Sequence, residues 1–156
     1  MAEERLDDMD RRILVAMQED ARLTVEELGR RIGLSPSPVA RRIRRMEKAG
    51  IIKRYVAVVD QEKVGLPVSV FASIKLERQR EEELDRFAAA VSRWPEIVEC
   101  YLMTGQRDYL LRIVVRDLPA YEAFIKEKLT RLEGVASIES SFALSQVKHA
   151  NALPIV

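Results

Sequence analysis

Two short amphipathic segments separated by the three-residue turn Gly33-Leu34-Ser35 constrain this chain more than any other feature. Thr24-Val25-Glu26-Glu27 has the T-x-x-E form of a capping box, and Val25, Leu28 and Ile32 recur at helical spacing up to Gly33. After the turn, Ser35 stands as N-cap with its hydroxyl placed for an orphan N–H. Pro36 pre-sets the first-turn φ, and Gly50 supplies the stop. Inside that segment Val39, Ile43 and Met46 recur at i, i+4 and i+7, while Arg41, Arg44, Arg45 and Lys48 fall opposite them and Arg42 flanks. One face packs and the other is cationic. A preceding helix is marked by Leu6, Met9, Ile13, Leu14 and Met17, with Asp7 and Asp8 in the turn where acids favour the dipole.

The formal net charge is only +1, but it is unevenly spread. From Leu28 to Arg54 nine Arg and Lys face one acid, Glu47, a local excess of +8. Such a patch suits phosphate recognition, because neutralised phosphates release condensed counterions. A helix this basic is also what a plain solvated face looks like, so its neighbours decide. Three helices, the last two joined by a tight glycine turn, form a helix-turn-helix arrangement, whose second helix enters the major groove. The following IIKRYVAVVD, β-branched and carrying Lys53 and Arg54, reads as a strand or wing.

Beyond Gln61 the periodicity changes, and residues 61–67, with Gly65 and Pro67, read as a linker between domains 1–60 and 68–156. Val68, Val70, Ala72, Ile74 and Leu76 alternate with Ser69, Phe71, Ser73 and Lys75, a strand. Glu81 to Trp94 reads as a helix stopped by Pro95, and Ile97–Thr104 and Tyr109–Val115 read as strands joined by Gly105-Gln106-Arg107-Asp108. Asp117 caps a second helix ended by Gly134, and Val135 to Lys148 supplies the last strand. The order β-α-β-β-α-β is the ferredoxin-like unit, a four-stranded antiparallel sheet with both helices on one face. The whole is an α+β chain.

In the third strand Tyr109, Leu111, Ile113 and Val115 face one way and Leu110 and Val114 the other, so both sheet faces are expected to be largely apolar. The bare face then needs a partner, for which a second copy is the simplest choice; exposed apolar residues of a monomer are the alternative. A dimer also suits a helix-turn-helix protein, whose paired helices reach half-sites about 34 Å apart or a multiple of it.

The stretches LDDMDRRIL and LTVEELGRRIGLSPSPVARRIRRMEKAGIIKRYVAVVD resemble the DNA-binding half of the Lrp/AsnC (feast/famine) transcription regulators, including the serine-proline repeat of their recognition helix. ECYLMTGQRDYLLRIVV and SIESSFALSQVKHANALPI resemble that family's ligand-sensing domain, known as the RAM domain, so the likeness covers nearly all of residues 6–156. It implies a winged helix-turn-helix followed by a RAM or ACT-like sandwich. It places Ser35, Ser37, Pro38, Arg41, Arg42 and Arg45 nearest double-stranded DNA, with Thr24 and Lys53 as phosphate contacts. It implies a free amino acid as effector, bound between subunits, and a homodimer that can build to an octamer. The effector residues it implies are Thr104, Gly105, Gln106, Arg107 and Asp108 in the loop, Ser140 and Ser141 on the last strand, and Leu102 or Met103 as lining.

Chemistry is consistent with that loop. A zwitterion needs donors for its carboxylate, which N–H groups around Gly105, a free Arg107 and the serine hydroxyls could supply, and an acceptor for its ammonium, which Asp108 could supply. Gly and Asp are equally the residues a simple hairpin turn takes. No nucleophile-base set, phosphate loop or metal motif is present, and a lone His149 is poor evidence for a metal, so no cofactor is expected. Cys100 excludes an intrachain disulfide and reads as a small core or interface residue; Trp94 reads as packing. No apolar run approaches about 18 residues, and the acidic opening MAEERLDDMD is unlike a secretory signal, so a cytoplasmic, non-membrane protein is expected.

The leading reading is a sequence-specific transcription regulator, not an enzyme. The alternatives are an enzyme resembling the sirohaem decarboxylases, whose proposed histidine chemistry this chain lacks apart from His149, and an architectural DNA-binding protein without an effector.

Overall fold

Asp7 opens the first helix of the computed structural model, which describes residues 5–150 and 152–155. Its carboxylate accepts from the Asp10 N–H (2.9 Å) while the Asp10 carboxylate accepts from the Asp7 N–H (3.0 Å), a capping box built from two aspartates. Helix α1 (Asp8–Glu19) then runs to Asp20. Helix α2 (Val25–Ile32) has the expected Thr24–Glu27 box, and α3 (Pro36–Lys48) begins after Ser35. Ile13, Leu28, Val39 and Met46 are fully buried where the three helices meet, with Leu14, Ala16 and Ile32 around them. Each such side chain contributes about 1.5–3 kcal/mol through burial.

The close passage of α2 past the turn depends on Gly29. A Cβ there would lie 2.4 Å from the Leu34 carbonyl oxygen, and the Leu34 N–H donates to Gly29 O at 3.0 Å. No other residue lets the turn close this tightly.

The strand expected over IIKRYVAVVD does not form among the described residues. Residues 53–59 belong to no strand, and their N–H groups donate to no backbone carbonyl among the described residues. Tyr55, Val56, Val58 and Val59 are exposed; Tyr55 is tied back by its hydroxyl, which donates to Glu47 of α3. A strand needs a neighbouring ladder, and this chain offers none here.

The second unit, Val58–Gln146, holds β1 (Val68–Leu76), α4 (Glu81–Val91), β2 (Ile97–Leu102), β3 (Tyr109–Val115), α5 (Leu118–Glu127), a 3-10 turn (Leu129–Arg131) and β4 (Val135–Phe142). The antiparallel sheet has the order β2-β3-β1-β4, the expected double split unit. Val70, Ala72, Ile74 and Leu76 of β1 and Tyr109, Leu111, Ile113 and Val115 of β3 pack under Phe87 and Val91 of α4 and Tyr121 and Phe124 of α5. Trp94 packs edge-on against Phe124, as expected of it.

The other sheet face departs from expectation. Phe71, Leu110 and Val114 lie there, but so does Arg112, which donates to Glu99 (3.2 Å) and to Gln61 (2.9 Å). Gln61 also donates to Ser69 (3.0 Å), so the 60–65 turn folds against this face instead of linking two domains. The face is mixed polar and apolar because alternation puts Arg112 between Leu110 and Val114. Cys100 sits exposed on edge strand β2, not in a core.

The division between units also differs from 1–60, 61–67 and 68–156. The first unit runs to Ala57 and takes in the tail from Val147. Gln18 of α1 donates to the Leu153 carbonyl (3.1 Å) and accepts from its N–H (2.6 Å), while Ile155 packs on the three-helix core. After β4, Ala143 to Gln146 stays with the sheet. Among the described residues, no helix is long and apolar enough to cross a membrane.

Candidate nucleic-acid interface and effector loop

Helix α3 buries Val39 and Met46 and half-buries Ile43 and Arg42. At 3.6 residues per turn the direction opposite that face is taken by Ser37, Arg41, Arg44 and Lys48, all exposed. Among the described residues no acid pairs with Arg41, Arg44 or Lys48. Arg44 and Lys48 were missing from the residues implied by resemblance, although their i+3 and i+7 spacing from Arg41 carried the signal.

Arg42 and Arg45 stand on the flank toward α1. Arg42 Nη1 donates to Asp7 Oδ2 (2.6 Å) and Asp10 Oδ1 (2.8 Å), and Arg45 Nη2 donates to Asp10 Oδ2 (2.5 Å). Asp10 has no solvent exposure at all. The hydrogen bond from the Asp10 N–H, and then Arg42, hold the Asp7 carboxyl down at about 2. Sequence reading missed both acids as partners of α3, since 32 and 35 residues separate Asp10 from Arg42 and Arg45.

The helix starts divide the same way. Asp7 and Thr24 are filled caps with acids in the first turn that follows. Thr24 Oγ1 is committed to Glu27, accepting from its N–H (3.2 Å) and donating to its carboxylate (2.9 Å); the Thr24 N–H (2.8 Å) and then that hydroxyl hold the Glu27 carboxyl low. As a phosphate contact Thr24 would have to give up that pairing. Ser35, by contrast, makes no side-chain cap bond, correcting the expected hydroxyl cap, and no acid lies in the first turn of α3. Its hydroxyl and the first N–H groups of α3 are what a phosphate at a helix N-terminus would use. Pro38 is half-buried; Lys53 is exposed without an ion pair.

In the loop, Met103 N–H donates to Asp108 O (2.8 Å) and closes the β2–β3 turn, with Gly105 at φ 106°. Leu102, Met103, Thr104 and Gln106 are exposed. Asp108, however, is buried, and its carboxylate accepts from Leu76 N–H (2.7 Å), Gln79 Nε2 (2.6 Å) and Lys75 Nζ (3.4 Å). Burial opposes its ionisation, but those donors outweigh burial and leave the carboxyl below its ordinary range. It fastens the start of β3 to the end of β1 before it can serve any ligand.

Arg107 is not free either. It donates to Ser137 (2.7 Å) and Glu139 (2.5 Å) of β4. Ser140 faces the helices and shares a 2.5 Å hydrogen bond with the buried Tyr121, so it is turned away from Ser141, which lies opposite Phe71 on the other face. The residues brought together on that other face are Lys75, Arg107, Ser137 and Glu139, beside Asp108.

A family model described as winged helix-turn-helix DNA-binding matches residues 6–53, and one described as the Lrp/AsnC ligand binding domain matches residues 69–153. The chain is 43% identical to the Bkd operon transcriptional regulator of Pseudomonas aeruginosa, over 96% of this chain and 98% of that one. It belongs to the Lrp/AsnC family. The Escherichia coli leucine-responsive regulatory protein is 39% identical over 96% of this chain and 92% of its own. Among solved structures, a Neisseria meningitidis transcriptional regulator in an L-Met complex superposes with a TM-score of 0.91 at 39% identity, covering 96% of this chain and 97% of that one. An Agrobacterium tumefaciens AsnC family regulator gives 0.91 at 45% identity with the same coverage. This chain is therefore a DNA-binding transcription regulator of that family and not an enzyme, and the decarboxylase alternative falls.

Proposed function

We propose that the chain is a sequence-specific regulator whose output is set by a free amino acid bound near residues 102–108, with a homodimer, able to build to an octamer, as its working form. The observation that carries the DNA half is the exposed, unpaired stripe Ser37, Arg41, Arg44 and Lys48 on a helix locked on its other side. Arginine on guanine in the major groove discriminates by about 1–3 kcal/mol, while the uncapped start of α3 serves phosphate.

The amino-acid half draws support from the L-Met complex of a relative at 39% identity. The local groups suit a zwitterion once the pairings are corrected. Arg107 and Lys75 are cations for a carboxylate, and Glu139 with Asp108 are acceptors for an ammonium, all already held in ion pairs that a ligand would share or exchange. Support for a second copy comes from the 53–59 segment, whose exposed valines and unused N–H groups suit pairing with a like strand. A ligand seated between subunits changes output only by binding one arrangement of the DNA-binding heads better than another.

The test is a thermal-shift screen of the whole protein against the twenty amino acids, with sedimentation and DNA titration repeated for each hit. An effector at 100 times its Kd is expected to stabilise by about 2.7 kcal/mol and to change DNA affinity. No shift with any amino acid would sink the effector reading while leaving DNA binding intact. Equal affinity for all duplexes would point instead to an architectural protein.

A further inference from the structure

We propose that Asp10 is a positioning residue for DNA reading: it holds Arg42 and Arg45 as struts between α1 and α3, leaving Arg41, Arg44 and Lys48 to contact the DNA. The proposal rests on α3 being the DNA-reading helix and goes on to divide its cations by role.

A carboxylate with no exposure is tolerated only when cations and donors surround it. Asp10 meets that need from two sides. Its carboxylate accepts from the Asp7 N–H at the start of α1 and from both guanidiniums of α3. The first bond fixes where the carboxylate sits, and the other two fix the rotation of α3 about its axis. A shift of α3 by one residue would turn its faces by about 100° and carry the free stripe away from solvent. Both partners are arginines, whose planar fork holds a direction that the single point charge of a lysine would not.

Charge balance separates the two sets. Among the described residues Arg42 and Arg45 face the carboxylates of Asp7 and Asp10, so this flank adds little field toward a phosphate. Arg41, Arg44 and Lys48 carry three positive charges outward with no acid pairing them among the described residues; the neighbouring Glu47 accepts from Tyr55. The arginine-rich helix is thus half scaffold and half reader, and its local excess of charge overstates the number of phosphates it can neutralise.

The experiment titrates the full-length protein against a cognate duplex selected from a random library and against a random-sequence duplex, each at several salt concentrations. Arg44→Gln and Lys48→Gln are expected to reduce the slope of log affinity against log salt by about 0.9 for each phosphate no longer neutralised. Arg42→Gln is expected to weaken cognate binding with the slope unchanged. Asp10→Asn, which removes the buried charge that both guanidiniums face while Asp7 still accepts from Arg42, is expected to steepen the slope and lower the cognate-to-random ratio, a change that mere destabilisation does not produce. Adding Arg42→Gln to Asp10→Asn then brings the slope back toward wild type. A loss of slope in Arg42→Gln equal to that in Arg44→Gln overturns the proposal, as does an Asp10→Asn protein of wild-type slope and ratio. Should Asp10→Asn lose its helical circular dichroism, the comparison of Arg42→Gln with Arg44→Gln decides alone.

Discussion

Helix α3 and the 103–108 loop were both marked by charged residues, yet the fold treats the two sets oppositely. In α3 the cations at Arg41, Arg44 and Lys48 are exposed and have no acid paired with them among the described residues. In the loop, Arg107 and Asp108 are taken up by β4 and β1 of their own sheet. A helix fixes the direction of each side chain by its period, whatever lies beyond. A hairpin loop fixes only where the backbone goes, so its side chains take whatever partners the neighbouring strands present. Charge in a loop is therefore weaker evidence of a ligand site than the same charge on the outer face of a helix.

The comparison can be broken first at the helix pair. Gly29→Ala is expected to destabilise the first unit by on the order of 3 kcal/mol, because the added Cβ meets backbone at 2.4 Å. Trp94, the single tryptophan, lies in the second unit and should report an unchanged unfolding transition. If both transitions move together, the units do not behave separately.

At the loop, Asp108→Ala strands the Leu76 N–H and should cost about 1–3 kcal/mol, read as a lower Trp94 transition. A transition left in place would free Asp108 for the ligand role. Arg107→Ala removes a half-exposed pair to Glu139 and an exposed hydrogen bond to Ser137 and should cost under about 1 kcal/mol.

Acid titration sharpens the same contrast. Both Asp7 and Asp108 have carboxyls lowered in the folded state, so each contributes stability that is present above the ordinary carboxylate range and lost as pH falls through the folded value. For Asp7 that window runs from about 4 down to about 2. Asp7→Asn should flatten the acid loss in the helical signal alone, with melts between pH 2 and 5 as the measurement. A flattened Trp94 signal would mean that the assignment of Asp7 to the first unit is wrong.

Much of the fold was legible in sequence. The Thr24 box, Pro36, Gly50 and the alternation of Val68 to Leu76 fixed element types and order, because caps and hydrophobic period are local signals. The sheet order and the two helices on one face followed from that order of elements. Less of the site was legible. The resemblance named Arg41, Arg42 and Arg45 alike and did not distinguish the two that hydrogen-bond Asp10 of α1 from the one that does not.

What the sequence determined by itself was the arrangement of a cationic helix behind a capped partner, followed by a βαββαβ unit, since each rests on contacts within a few residues or on strict periods. Only the tertiary structure decided which charges are available. Asp10 meets Arg42 and Arg45 across 32 and 35 residues, Arg107 meets Glu139 across 32, and the tail at Leu153 meets Gln18 across 135. An ion pair depends on distance in space, which one-dimensional spacing does not contain. That is why the helix could be recognised as basic from its letters, and why its division into struts and readers required the fold.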